Sequence, residues 1–167
     1  MLQNYTSANT SINSTKLPAI FKRLVWAPEE VNLDMGGGKF DNATEYLRDT
    51  YGAENLVLDP YNRPKEHNKA IVARLLAKGA NTCTVSNVLN VIDSEDARLQ
   101  TLRVAKSLLK DGGAIYITVY EGDRSSVGRQ TGKDSWQNNR PLKGYLEEVK
   151  KVFPNATTKY GMIIASK

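Results

Sequence analysis

The sequence contains very few of the residues that form disulfides or bind structural metals. Cys83 and His67 are the only cysteine and the only histidine among its 167 residues. A single thiol cannot form a disulfide within one chain, and a zinc site draws several ligands from cysteine and histidine. We therefore expect neither a disulfide nor a metal site.

Long apolar runs are also missing. No stretch approaches the roughly 18–20 apolar residues of a membrane-spanning helix. The first fifteen residues are polar and uncharged, so they lack the basic head and apolar segment of a signal peptide. These two absences predict a cytoplasmic protein without membrane contact, and nothing in the sequence indicates an oligomeric state.

The charge balance is only mildly basic, with a formal net charge of +5. A charge of this size is typical of a solvated basic surface, although an anionic partner is the alternative. The charge alone therefore selects no class of partner.

Strand-like and helix-like patterns alternate along the chain. After a polar arm and one short amphipathic helix within residues 1–28, four strand–helix pairs follow, and the last segment predicts an antiparallel hairpin. This order indicates a Rossmann-like, doubly wound α/β fold with a mostly parallel sheet, formed by residues 1–167 as one domain. Only one helical pattern lies between the second and third strands, so one strand of the larger sheets of this kind is expected to be missing.

The most informative stretch is the run from Val31 to Phe40, VNLDMGGGKF. An apolar strand ends at Asp34 and passes into Gly36, Gly37 and Gly38, before a helical pattern begins. Glycines at such a turn let the backbone approach a ligand closely, and the carboxylate of Asp34 is placed to accept from an ammonium group. Asp59 ends the next strand, at the spacing of an acid that binds ribose hydroxyls.

These residues resemble the first motif of the class I S-adenosylmethionine-dependent methyltransferases, except that Phe40 replaces its last glycine. The run SNVLNVID, from Ser86 to Asp93, is similar to a later motif of small-molecule enzymes in that superfamily. A narrower likeness, in LDPYNRP, SNVLNVIDSEDAR and GRQTGKDSWQ, is to methyltransferases associated with DNA phosphorothioation genes. The resemblance implies S-adenosylmethionine as cofactor and methyl transfer as the reaction.

Further candidate residues follow from the expected crevice at the carboxyl ends of the parallel strands. Tyr61 is predicted to stack on the base of the cofactor or, equally, to cover the sheet edge. Asn87 and Val88 are predicted to contact the cofactor, and Asn90 the substrate, whereas turn-stabilising asparagines are the alternative.

The segment 122–140 lacks periodicity and is predicted to be a lid over the substrate. Residues 122–143 hold five basic and two acidic residues. A small polar or anionic acceptor is favoured, and a nucleic acid stacked on Trp136 is the alternative. The substrate-contacting candidates in and before this segment are Tyr120, Arg129, Trp136 and Gln137, and the candidate general bases are Glu121 and Asp123.

The sequence thus predicts methyl transfer to a small-molecule acceptor. Two alternatives stay open: a module that binds S-adenosylmethionine or a nucleoside without transfer, and a methyltransferase acting on nucleic acid. A nicotinamide oxidoreductase is disfavoured by Asp34 inside the strand and by the absent third glycine.

Overall fold

A computed structural model describes residues 3–9 and 15–167. Its eight strands are β1 (Val31–Met35), β2 (Glu54–Leu58), β3 (Ala80–Ser86), β4 (Leu109–Thr118), β5 (Arg129–Gly132), β6 (Ser135–Gln137), β7 (Thr157–Lys159) and β8 (Met162–Ser166). Its five α-helices are α1 (Ala19–Arg23), α2 (Asn42–Tyr51), α3 (Lys65–Lys78), α4 (Glu95–Leu108) and α5 (Leu146–Lys150).

Six of the strands form one sheet in the order β2-β1-β3-β4-β8-β7. The first four are parallel, and β8 and β7 add the predicted antiparallel hairpin. Within residues 59–79 the chain forms turns and α3 but no strand, so β2 lies at the edge. The predicted fold class is confirmed, and the sheet lacks the outer strand as expected.

Helices cover both faces of this sheet. On one face, α1 and α2 bury Phe21, Trp26 and Leu47. On the other, α3, α4 and α5 bury Leu75, Leu102 and other apolar side chains against the strands. Because each strand of β1 to β3 is buried on both sides, the ligand-accessible part of the sheet is the edge formed by its carboxyl ends.

The segment 122–140 contains regular structure that the sequence pattern did not predict. Strands β5 and β6 pair antiparallel as a separate two-stranded hairpin, with Gln130 opposite Trp136. The interpretation of this segment as a loop without periodic structure was therefore wrong in part. The cross-strand pairing, rather than alternating hydrophobicity, fixes this hairpin, since all four residues of β5 are exposed.

In the described part of the chain, no helix is long and apolar enough to cross a membrane. No group of three or more histidine, cysteine or acidic residues is placed to hold a metal ion in that part either.

Candidate functional site

A cavity of about 290 Å³ lies at the carboxyl ends of β1, β2 and β3. Five of the eight predicted cofactor-contacting residues line it: Gly36, Asp59, Tyr61, Asn87 and Val88. The volume is near the lower end of the roughly 300–1,000 Å³ found for small-molecule pockets. We call this space the first cavity.

Gly36 forms one wall of the first cavity and cannot carry a side chain. Its φ of +72° lies in the left-handed region, and a Cβ there would stand 2.6 Å from Cγ2 of Val88. Only glycine avoids both the strain of this left-handed backbone conformation and the clash with Val88. The absence of a Cβ leaves the backbone at the end of β1 bare beside Val88.

Asp59 is buried at the end of β2, with 4% of its surface exposed. Oδ1 accepts from the backbone N–H groups of Tyr61 (3.0 Å) and Asn62 (2.9 Å). Oδ2 accepts from the N–H of Gly38 (3.0 Å) and from Nδ2 of Asn62 (3.1 Å). These four bonds use about the full acceptor capacity of a carboxylate. Asp59 thus ties the turn after β2 to the glycine turn.

Arg63 also connects these two turns, and its role was missed from the sequence. Its Nε donates to the carbonyl of Gly38 (2.7 Å) and its guanidinium to the carbonyl of Phe40 (2.9 Å). The same guanidinium pairs with Asp41 at 2.8 Å. Gly38 is therefore held at its N–H by Asp59 and at its C=O by Arg63. From the sequence, the run YNRP indicated only a rigid turn and not the contacts that Arg63 makes.

Asp34 lies beneath the glycine turn and does not line the first cavity. It is 3% exposed, and its carboxylate accepts from Thr84 (3.2 Å) and Asn55 (3.4 Å). Burial raises the pKa of Asp34 to about 6, against the bonds to Asn55 and Thr84 that lower it. A Cβ on Gly37 would collide with this carboxylate. Asp34 thus supports the turn from below, and its predicted contact with a ligand ammonium stays a prediction.

Helix α4 supplies the far wall of the first cavity, which the sequence reasoning also missed. Ala97, Gln100, Thr101 and Val104 line it, at i, i+3, i+4 and i+7 along the helix. That spacing places them on one helical face. The polar residues Gln100 and Thr101 beside the apolar Leu99 and Leu102 were the signal available in the sequence.

The amino-terminal arm reaches the same cavity through Gln3, Thr6 and Ser7. The backbone N–H and the hydroxyl of Thr6 both donate to the carboxylate of Asp134, the first of these bonds being 2.9 Å long. The N–H of Ser7 donates to the carbonyl of Asp134 at 2.9 Å. Residues 3–9 are therefore docked, and they link the β5–β6 hairpin to the first cavity.

A second contact fixes the arm on the hairpin. Tyr5 stacks on Trp136 with ring centroids 5.4 Å apart and an interplanar angle of 19°. The indole N–H of Trp136 donates to Oδ1 of Asn138 at 2.8 Å. One face of Trp136 is thus covered by Tyr5, which opposes the alternative that this ring stacks on a nucleic-acid base.

A second cavity of about 480 Å³ adjoins the first, and we call it the second cavity. Four of the five predicted substrate-contacting residues line it: Asn90, Tyr120, Trp136 and Gln137. Asn87 and Val91 line both cavities. Asn87 has a φ of +57°, a left-handed conformation that asparagine tolerates better than most residues. The two cavities therefore meet at a sharp turn after β3.

Six predicted site residues line neither cavity: Asp34, Gly37 and Gly38 at the glycine turn, and Glu121, Asp123 and Arg129 beyond β4. Glu121 accepts from the N–H of Leu142 (2.8 Å) and pairs with Arg124. Asp123 accepts from the N–H of Ser125 (2.9 Å) and faces Arg129 at 3.8 Å. Both carboxylates thus stabilise local turns, and these bonds hold the pKa of Glu121 and of Asp123 below the usual range. The structure does not bring Glu121, Asp123 or Arg129 to the cavities.

The basic residues of segment 122–143 are partly neutralised by ion pairs with acidic side chains. Arg140 forms an ion pair with Glu148, besides the pairs of Arg124 and Arg129. Three of the five basic residues of segment 122–143 thus have acidic partners. This arrangement offers no continuous basic track of the kind that follows a nucleic-acid backbone.

Comparison with solved structures assigns the fold. The chain is similar to a Burkholderia thailandensis 1,6-didemethyltoxoflavin-N1-methyltransferase, solved with that compound and S-adenosylhomocysteine: the TM-score is 0.60 and the identity 18%, over 89% of this chain and 75% of that one. It is also similar to PigF with S-adenosylhomocysteine, with a TM-score of 0.58 and 15% identity over 90% of this chain and 54% of PigF.

Human N-acetylserotonin methyltransferase, in complex with S-adenosylmethionine, gives a TM-score of 0.56 at 15% identity, over 82% of this chain and 47% of that one. The chain has the Rossmann-like fold of these methyltransferases. It spans about half the length of several of these proteins, including TnmH, of which 52% is covered. No protein-family model matches the sequence, and no curated protein matches it significantly.

Proposed function

We propose that this protein binds S-adenosylmethionine in the first cavity and transfers its methyl group to a small molecule in the second. The observation that carries the proposal is the position of the two cavities, which meet at Asn87 at the carboxyl ends of the parallel strands. In open α/β sheets, ligands bind at this edge. The fold similarity to enzymes solved with S-adenosylmethionine or S-adenosylhomocysteine supports the choice of cofactor.

The residues of the first cavity fit this cofactor. Gly36 leaves room for close approach of the ligand to the backbone, and Met35, Leu58 and Ile92 offer apolar surface. Asp59 and Asn62 present hydrogen-bonded polar side chains on the wall, and we assign the ribose hydroxyls to them. Because the Asp59 carboxylate already carries four hydrogen bonds, the hydroxyls are expected to replace the amide of Asn62.

The base of the cofactor is assigned to the space between Tyr61 and the α4 face that carries Gln100 and Thr101. Sequence analysis predicted Tyr61 for stacking on the base but no residue that forms hydrogen bonds to it, because the missing outer strand removes a common source of such a residue. The side-chain amide of Gln100 can donate and accept hydrogen bonds, and the hydroxyl of Thr101, which donates to the carbonyl of Ala97 at 2.9 Å, can still accept one. They are therefore suited to a polar, neutral ring.

When bound, the cofactor supplies an electrophilic methyl group. The protein then has to hold the acceptor in line with the methyl group and to exclude water. Such positioning alone lowers the activation barrier of methyl transfer substantially. The docked arm and the β5–β6 hairpin are placed to cover both ligands. No described residue lining the second cavity is an acid, a histidine or a lysine, so we assign no general base.

Isothermal titration calorimetry of the full chain with S-adenosylmethionine, S-adenosylhomocysteine and NAD tests the proposal. The first two are expected to bind at one site with micromolar dissociation constants, and NAD is expected not to bind. Binding of NAD alone, or of none of the three at millimolar concentration, would overturn the assignment. Binding without methyl transfer to any acceptor tried would favour the alternative of a binding module.

A further inference from the structure

The second cavity contains a buried amide oxygen that has no partner. Asn90 is 2% exposed and lines this cavity. Its Oδ1 is buried and makes no hydrogen bond within the described part of the chain. Buried polar atoms are nearly always paired, so an unpaired one at a cavity wall needs an explanation.

The neighbouring bonds fix which end of Asn90 is unpaired. The backbone carbonyl of Tyr120 can only accept, so Gln137 presents its Nε2 to it, at 2.9 Å. Oε1 of Gln137 is then left to accept from Nδ2 of Asn90, at 3.0 Å. Reversing the amide of Gln137 would place two acceptors against each other. The chain of bonds therefore leaves Oδ1 of Asn90, an acceptor, as its free end.

The rest of the second cavity is uncharged at neutral pH. Besides Asn90 and Gln137, the described residues that line it carry only amide, hydroxyl, aromatic or apolar side chains, or none. Arg129, the basic residue predicted to contact substrate, faces Asp123 instead. Among the described residues that line this cavity, a charged ligand finds no side chain of opposite charge to offset its loss of hydration.

We propose that the second cavity binds a neutral small molecule that donates an N–H or O–H to Oδ1 of Asn90. This inference rests on the proposed function, because it describes the methyl acceptor of the same site. It replaces the anionic acceptor considered from the basic segment 122–143.

Three matched aromatic probes test this inference without any measurement of activity. 2-Naphthol is neutral and donates one hydrogen bond, 2-methoxynaphthalene donates none, and 2-naphthoate is an anion. Titrations followed by the side-chain amide resonances of Asn90 and Gln137 and by the indole resonance of Trp136 report binding in this cavity. We expect 2-naphthol to bind roughly five- to tenfold more tightly than 2-methoxynaphthalene, since one hydrogen bond to a buried acceptor is gained. 2-Naphthoate is expected to bind no more tightly than 2-methoxynaphthalene.

Asn90→Ala should make the affinities of 2-naphthol and 2-methoxynaphthalene equal, with binding followed at Trp136. The control is Asn9→Ala, which removes an exposed asparagine that lines the same cavity but lies outside the Tyr120–Gln137–Asn90 chain. That variant should keep the preference for 2-naphthol.

Equal affinities in the wild type, tightest binding of 2-naphthoate, or no shift of these resonances at millimolar probe would each overturn the inference. The titrations are run with and without S-adenosylhomocysteine, whose own binding is measured separately. If S-adenosylhomocysteine binds but the probes show no preference, only this inference fails. If the probes show the preference but S-adenosylhomocysteine does not bind, only the proposed function fails.

Discussion

The carboxylate of Asp59 accepts a 3.0 Å hydrogen bond from the N–H of Gly38, so the acid at the end of β2 holds the glycine turn at the end of β1. Arg63 completes this link by donating to the carbonyl of Gly38 at 2.7 Å. The glycine turn is thus positioned by its neighbour as well as by its own sequence. A ligand in the first cavity meets a wall that is already formed, which reduces the entropy lost on binding.

Arg63→Met tests this link. The variant keeps the apolar stem but removes the donors to Gly38 and Phe40, and hydrogen bonds to charged groups contribute about 1.5–3 kcal/mol each. We expect a loss of stability of about 2 kcal/mol or more by urea denaturation and a weaker affinity for S-adenosylhomocysteine by calorimetry. The control is Arg48→Met, whose guanidinium is exposed and pairs only with Asp49 in the described contacts. If both variants behave alike, Arg63 does not position the turn.

Gly36→Ala tests the steric limit at the cavity wall. The new Cβ would meet Val88, and overpacking of this kind costs roughly 1–3 kcal/mol beyond the backbone strain. Gly112→Ala is the matched control, because its φ of +76° imposes a similar strain and nothing lies within 4 Å of a Cβ there. Thermal unfolding should show the larger loss for Gly36→Ala, and the added change Val88→Ala should restore part of it. No restoration by Val88→Ala would refute the predicted clash.

Asp34 makes the stability depend on pH. Since burial raises its pKa from 3.8 to about 6, the folded state binds more protons than the unfolded state between these values. Stability contributed by this group is therefore present at low pH and is lost as pH rises through 6. The difference amounts to up to about 3 kcal/mol, at 1.36 kcal/mol per pKa unit.

Asp34→Asn should remove this dependence. Relative to that variant, the wild type is expected to gain stability as the pH falls from 7.5 to 4.5, measured by urea denaturation at each pH. Parallel stability curves for the two proteins would show that Asp34 does not titrate in this range.

The docked arm should protect the first cavity. Asp134→Ala removes the acceptor for both bonds of Thr6 and should release residues 3–9 from the hairpin. We expect faster proteolysis within the arm and a lower affinity for S-adenosylhomocysteine, since Gln3, Thr6 and Ser7 line the cavity. Asp49→Ala, at another exposed acid, is the control. An arm that stays resistant to protease in Asp134→Ala would show that its remaining contacts, including those of Asn4 with Asp93, suffice to hold it.

The sequence pattern predicted the parts of this structure that depend on local periodicity. Alternating strand and helix patterns were enough for the mostly parallel sheet and for its missing outer strand. Side-chain direction beyond the strand ends could not be predicted, because it depends on contacts distant in sequence. Asp34 points to Asn55 and Thr84, and Asp59 to Gly38, through bonds that span 21 to 50 residues.

The region after β4 shows the same limit. Glu121 and Asp123 follow β4 closely, yet their carboxylates bond to nearby turns rather than to the cavities. Gln137 reaches Asn90 across 47 residues, and its polar character alone gave no sign of that contact. Contacts of this kind come from the hairpin pairing of β5 and β6, which hydrophobic periodicity does not encode.

A crystal structure of the full chain with S-adenosylhomocysteine tests the central claim most directly. The account predicts electron density for the ligand in the first cavity, with the ribose hydroxyls at Asp59, the base between Tyr61 and α4, and the sulfur toward Asn87, where the second cavity begins. Density for S-adenosylhomocysteine at any other place on the molecule, or in the first cavity with the sulfur directed away from Asn87, would contradict it.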